Sequence, residues 1–141
     1  MAKAPLHLWV VGVLALLWNG FGCFNYSMAQ MRNEAWLAAA TPAQRAYFES
    51  FPAWSDAAWA LGVWGGLAGA VLLLMRSRYA SIAFAVSILG VAGTTLYQFV
   101  LSSPPSDMVS GFGLILHLAI WAIALFLLFY ALRMRRSGLL R

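Results

Sequence analysis

The chain has 141 residues, of which 63% are hydrophobic and only 9% charged. A soluble domain carries about 25% charged residues, so there is too little polar surface here to face water, and the composition selects a membrane protein. The net charge of +5 would suggest a nucleic-acid partner in a soluble protein. Here the basic residues cluster at the ends of apolar segments, which argues against nucleic acid and for the lipid bilayer.

Crossing the hydrocarbon core takes roughly 20 apolar residues as a helix. Four segments qualify, at about 8–28, 53–75, 79–101 and 111–132. Backbone groups in lipid must bond within their own segment, so the spans are helices and not strands. The expected fold class is an all-α membrane protein, a four-transmembrane-helix bundle forming one domain over 1–141. Lys3 before an apolar run resembles the start of a signal peptide, but the run from Leu8 to Met28 is too long for one and reads as a retained span. Within it lies Cys23, the only cysteine, which reads as a small hydrophobe.

The connections differ in kind. Between the second and third spans, Arg76-Ser77-Arg78 is a tight basic link that makes an antiparallel hairpin. Pro104 and Pro105 make a helix-breaking turn before the fourth span. The first connection, about 29–52, is the longest. Within it Thr41-Pro42-Ala43-Gln44 has the form of a helix start, with Thr41 as N-cap, Pro42 at the first helical position and Gln44 three residues after the cap. Tyr47, Phe48 and Phe51 then supply an aromatic stripe, which predicts a short helix lying in the membrane interface. Trp36 and Trp54 suit the aromatic belt.

Charge sets the orientation. Lys3, Arg76, Arg78, Arg133, Arg135, Arg136 and Arg141 fall on one side of a four-span arrangement. Arg32 and Arg45 fall on the other, with Glu34, Glu49, Asp56 and Asp107. The richly basic side is expected to be cytoplasmic, with both termini inside.

Helical spacing places Gly62, Gly65, Gly66 and Gly69 on the second span as a helix-packing stripe. Ser87, Gly90, Thr94 and Tyr97 form a corresponding stripe on the third. Polar residues gather towards the outer half: Asn19, Asn25 and Tyr26 on the first span, Asp56 and Trp59 on the second, Thr94, Thr95, Tyr97 and Gln98 on the third, and His117 on the fourth. Intramembrane polar groups are costly and often functional. Asn19, Tyr26, Tyr97, Gln98 and His117 are therefore the candidate ligand-binding set. The plainer explanation is interhelical hydrogen bonding worth about 1 kcal/mol each.

Several chemistries lack their residues. No Glu, Lys or Arg stands in the middle of a span, where a small four-helix proton-coupled exporter needs a carboxylate. Cysteine pairs are absent, and His7 and His117 lie near opposite faces, so no bis-histidine haem site is expected. No nucleophile–base pair or metal motif is visible. The expectation is a non-enzyme with no catalytic residues, no metal and no cofactor.

Leu17-Trp18-Asn19-Gly20-x-Gly22, Phe51-Pro52-Ala53-Trp54, Val63-Trp64-Gly65-Gly66-x-x-Gly69 and Arg76-x-Arg78-Tyr79-Ala80 together resemble a family of small four-span bacterial inner-membrane proteins. Its members are called hypothetical or, loosely, sugar transporters. The resemblance covers nearly the whole chain and implies the same topology and a Gram-negative inner-membrane address, but no site residues. Two roles are compatible with these features. One is a non-enzymatic accessory or scaffold component that meets a membrane-protein partner or a second copy of itself. The other is a small-molecule or lipid-binding carrier or transporter using an outer-half polar pocket.

Overall fold

The computed structural model describes residues 3–141. The long apolar helices are α1 (Leu6–Gln30), α4 (Ala53–Leu74), α5 (Ala80–Leu96) and α6 (Gly111–Arg136). All four spans are long and apolar enough to cross a membrane, α5 being continued by a π-helical turn over Tyr97–Leu101. Two short helices, α2 (Glu34–Leu37) and α3 (Pro42–Glu49), occupy the first connection. No strand occurs among the described residues. These boundaries extend the expected first span by two residues at each end and carry the fourth on to Arg136. Arg133, Arg135 and Arg136 fill the last turn of α6, where positive charge complements the carbonyl end of the helix.

Helices α1 and α4 both end in the same backbone device. After α1, Asn33 N–H reaches Met28 O (3.0 Å) and Arg32 N–H reaches Ala29 O (3.2 Å). After α4, Ser77 N–H reaches Leu72 O (2.8 Å) and Arg76 N–H reaches Leu73 O (3.0 Å). This Schellman arrangement satisfies the last carbonyls by putting one residue in the left-handed region, usually glycine. Here arginine takes the position twice, at φ 51° for Arg32 and φ 57° for Arg76. A side chain in that region costs roughly 1–2 kcal/mol.

In the bundle α4 packs against α1 on one side and α5 on the other, and α6 packs on α5. Lipid gives helices no hydrophobic reason to associate, so close approach and hydrogen bonds must hold them. The α4–α5 contact is the tightest. A Cβ on Gly90 would lie 2.5 Å from Ala58 O and 2.8 Å from Gly62 Cα, so the two backbones touch at that level. Ser87 Oγ donates to Gly62 O at 2.6 Å across the same contact.

The buried core lies at the end of the bundle that carries the termini. It comprises Leu8, Ala15, Ala70, Leu73, Ala80, Phe84, Leu127, Tyr130, Ala131, Met134 and Leu140. Here α1 and α6 meet through His7 Nδ1 and the Tyr130 hydroxyl, 2.5 Å apart. After α6 the chain turns at Gly138 (φ 85°) and folds back over the α4–α5 link. Arg141 N–H donates to Arg76 O and Arg78 N–H to Arg141 O, at 2.9 and 2.7 Å. At the opposite end α6 is largely uncovered, with Phe112, Ile115 and Leu118 exposed. The molecule is thus closed by packed apolar side chains at one end and by a folded connection at the other.

Candidate functional site

The first connection folds back over the ends of α1, α4 and α5 that lie away from the termini. Asn33 caps α2 by accepting from Trp36 N–H (3.0 Å). Thr41 and Gln44 cap α3 reciprocally, each side chain accepting the other's backbone N–H at 3.1 Å, the capping box anticipated from the sequence. Arg45 joins the two short helices through Glu34 (3.0 Å).

Three side-chain bonds then tie this arch down. Trp36 Nε1–H donates to Asn25 Oδ1 on α1 (2.9 Å), and Gln44 Nε2–H to Asp107 Oδ2 in the last connection (2.6 Å). Tyr47 and Ser102 hydroxyls lie 2.7 Å apart. Ser102 spends its one proton on Tyr97 O (2.7 Å), so Tyr47 is the donor to Ser102. Burial pushes the Tyr47 phenol above its ordinary value, the Ser102 contact pulls it back, and the neighbouring Tyr97 pushes it up again.

Beneath the arch the aromatic rings form a continuous cluster. Tyr26 meets Trp59 edge-on at 5.1 Å. Trp59 stacks on Phe48 at 6.1 Å, and Tyr47 on Tyr97 at 6.1 Å. Phe51 stands edge-on to Trp59 and to Tyr97. Each well-placed pair adds about 0.5–1.5 kcal/mol beyond burial, so the cluster holds the arch more firmly than its exposed ion pairs do.

Between the arch and the ends of α1 and α4 lies a cavity of about 220 Å³. Phe48, Phe51 and Trp59 give it an aromatic side, while Gln30, Arg32, Glu49 and Asp56 bring polar and charged groups of both signs. Asp56 is placed in the first turn of α4, where the helix N-terminus favours a carboxylate, and it accepts from Gln30 Nε2–H at 3.1 Å. Glu49 stands 4.0 Å from Arg45. Arg32 is exposed to solvent, and among the described residues its guanidinium makes no hydrogen bond or ion pair within the chain. The arrangement suits binding of a small polar molecule, with aromatic surface for its carbon atoms and charge for its ends.

None of the five residues singled out from the sequence lines this cavity; Tyr26 and Tyr97 share the aromatic cluster beside it, and the other three make separate contacts. Asn19 bonds back within α1, to Ala15 O at 2.8 Å, and its Oδ1 rests against Gly66 in space that any side chain there would fill. Tyr26 and Tyr97 belong to the aromatic cluster. Gln98 reaches Met108 O at 3.4 Å. His117 Nε2 lies 3.0 Å from Thr95 Oγ1, which also accepts from Trp121 Nε1–H (2.9 Å). The Thr95 hydroxyl donates its proton to Val91 O (2.7 Å), so the histidine proton is on Nε2. The His117 ring packs 4.7 Å from Phe99.

The four stripe glycines divide between two neighbours: Gly62, Gly65 and Gly69 face α5, and Gly66 faces α1. Cys23 is buried, its Sγ 3.3 Å from Val63 O on α4. Among the described residues no three His, Cys, Asp or Glu side chains are grouped to hold a metal ion.

Singling out intramembrane polar residues passed over Gln30, Arg32 and Glu49, which lie at or beyond the span end. The available signal was the concentration of charge in 29–56, where both basic residues of that side accompany Glu34, Glu49 and Asp56. Comparison with known proteins returns no match to a family model, to a curated protein or to a solved structure.

Proposed function

We propose that this chain is a non-enzymatic, multi-pass protein of a bacterial inner membrane that binds a small polar molecule at its periplasmic end. Both termini are then cytoplasmic, and 31–52 and 102–110 face outwards, with α3 at the interface. The charge count supports this orientation, seven basic residues against two. The four-span resemblance supports the inner-membrane address. The observation that carries the binding role is the cavity of about 220 Å³ with charged groups of both signs and an aromatic side, under an arch tied to three of the spans and to the last connection.

Purified protein in mild detergent would be screened by thermal unfolding against sets of anionic, cationic, zwitterionic and neutral polyol compounds. The expected result is that one set raises the midpoint in wild type and does so less in Trp59→Ala. If no set shifts the wild type, the binding role falls.

A second reading is an accessory or scaffold component of a membrane complex. It draws support from the exposed outer part of α6, where Phe112, Ile115 and Leu118 meet no other part of the chain's core. The glycine-rich face of α4 does not strengthen it, since α1 and α5 already occupy that face. Stoichiometric co-purification of a second membrane protein would favour this reading.

A further inference from the structure

We propose that the end of the bundle carrying the termini holds the headgroup of an anionic phospholipid between Arg78 and Arg135, with its acyl chains along the adjoining face of α5. The site is separate from the cavity under the arch and stands without the binding role proposed above.

The two arginines come from the α4–α5 link and from the last turn of α6, and one serine draws them together. Ser81 Oγ donates to Arg78 O at 3.0 Å and accepts from Arg135 Nη1–H at 3.4 Å. The Arg78 guanidinium lies 5.2 Å from the centre of the Tyr79 ring and donates to the Tyr79 hydroxyl at 3.2 Å. Tyr79 precedes the span and feels both charges. Its phenol is held below the ordinary value, first by the Arg78 hydrogen bond and charge and more weakly by Arg135.

A guanidinium carries five N–H donors, and among the described residues each of these two spends one bond, on a hydroxyl. No acidic side chain offsets their charge. The chain has four, and all lie at the arch: Glu34 in α2, Glu49 in α3, Asp56 at the start of α4 and Asp107 bonded to Gln44. Guanidinium groups held in this way suit a phosphate, which they meet with paired N–H donors.

The surface beside them selects a lipid over a free anion. Ser81 and Thr95 both bond α6, through Arg135 and through His117 and Trp121, so they mark the stripe of α5 that lies under α6. Ile82 and Leu96 are one position round from these two, and with Leu89 they form an exposed apolar strip alongside the α5–α6 contact. Tyr79 stands exposed at the head of the strip, where its hydroxyl suits headgroup level. Basic sites between spans, with an apolar track leading into the bilayer, are where anionic headgroups bind.

Full-length protein would be reconstituted in nanodiscs of equal phosphatidylglycerol and phosphatidylethanolamine, then analysed by native mass spectrometry for retained lipid. Phosphatidylethanolamine offers the same phosphate but brings an ammonium group to two uncompensated guanidinium charges. Wild type is expected to favour phosphatidylglycerol about twentyfold, from two arginines at about fivefold each. Arg78→Gln and Arg135→Gln should each lose about fivefold, with thermal midpoints in lipid-free detergent matching wild type. Arg136→Gln is the matched control. It removes the same charge one position round α6 and should leave the preference at the wild-type value.

Equal retention of the two lipids by wild type overturns the proposal. So does an equal loss in Arg136→Gln and Arg135→Gln, which would mean diffuse attraction to the whole basic rim. Glycerol 3-phosphate raising the detergent midpoint as far as short-chain phosphatidylglycerol would assign the site to a free anion and overturn it as well.

Discussion

At Gly90 a single missing side chain sets how closely two spans approach. The Cβ that alanine would add falls 2.5 Å from Ala58 O and 2.8 Å from Gly62 Cα, and these are backbone atoms that cannot rotate away. Gly90→Ala must push α5 off α4 and stretch the Ser87–Gly62 hydrogen bond, for a loss of about 1–3 kcal/mol. Gly20→Ala is the matched control, since nothing lies within 4 Å of its Cβ; it should be neutral or gain up to about 1 kcal/mol. Denaturation by SDS of both variants in mixed micelles measures the difference, and equal midpoints would refute the close approach. The glycine spacing of α4 is legible in the sequence as a packing stripe. Which neighbour each glycine meets is not, because Gly65 and Gly66 are adjacent in the chain yet face different helices, which depends on the rotation of α4 between its partners.

The element that decides the end of the bundle away from the termini is α3. Its start could be read from Thr41, Pro42 and Gln44 because a capping box is a contact across three residues. Its landing place could not, since Tyr47 bonds Ser102 and Gln44 bonds Asp107, partners far along the chain. Tyr47 also makes the arch sensitive to alkali. Its phenol is raised by burial, so the neutral form is the one the fold favours. The stabilisation is complete below the unfolded phenol's value of about 10 and is lost as pH rises through the higher folded value. The thermal midpoint should be flat up to about pH 9 and fall beyond about pH 10. Tyr47→Phe should remove part of that fall while lowering stability by about 1 kcal/mol near neutrality, where the hydroxyl hydrogen bond is lost. Unfolding followed by circular dichroism across this range checks both, and an unchanged alkaline fall in Tyr47→Phe would place the sensitivity elsewhere.

At the scale of the molecule, the two ends of the bundle are built differently. One is filled with Leu8, Leu73, Phe84, Leu127 and Met134; the other carries the arch, the aromatic cluster and the cavity. The proposed orientation puts the filled end inside. A phosphatase that works only outside the cytoplasm should be active when fused after Pro105 and silent after Arg141; activity in the reverse pattern would invert the arrangement. The sequence alone determined the helical class, four apolar spans, the tight α4–α5 link and the cap of α3. Each of these depends on local hydropathy or on contacts a few residues apart. The tertiary structure decided which polar residues come together. Asn19 and His117, conspicuous as polar groups inside spans, are taken up by Gly66 and Thr95. Arg32, Glu49 and Asp56, unremarkable as charges near span ends, meet around one cavity because 31–52 folds back over the bundle. That return is fixed by aromatic and hydrogen-bond contacts between segments distant in the chain, and neither periodicity nor composition encodes such pairings.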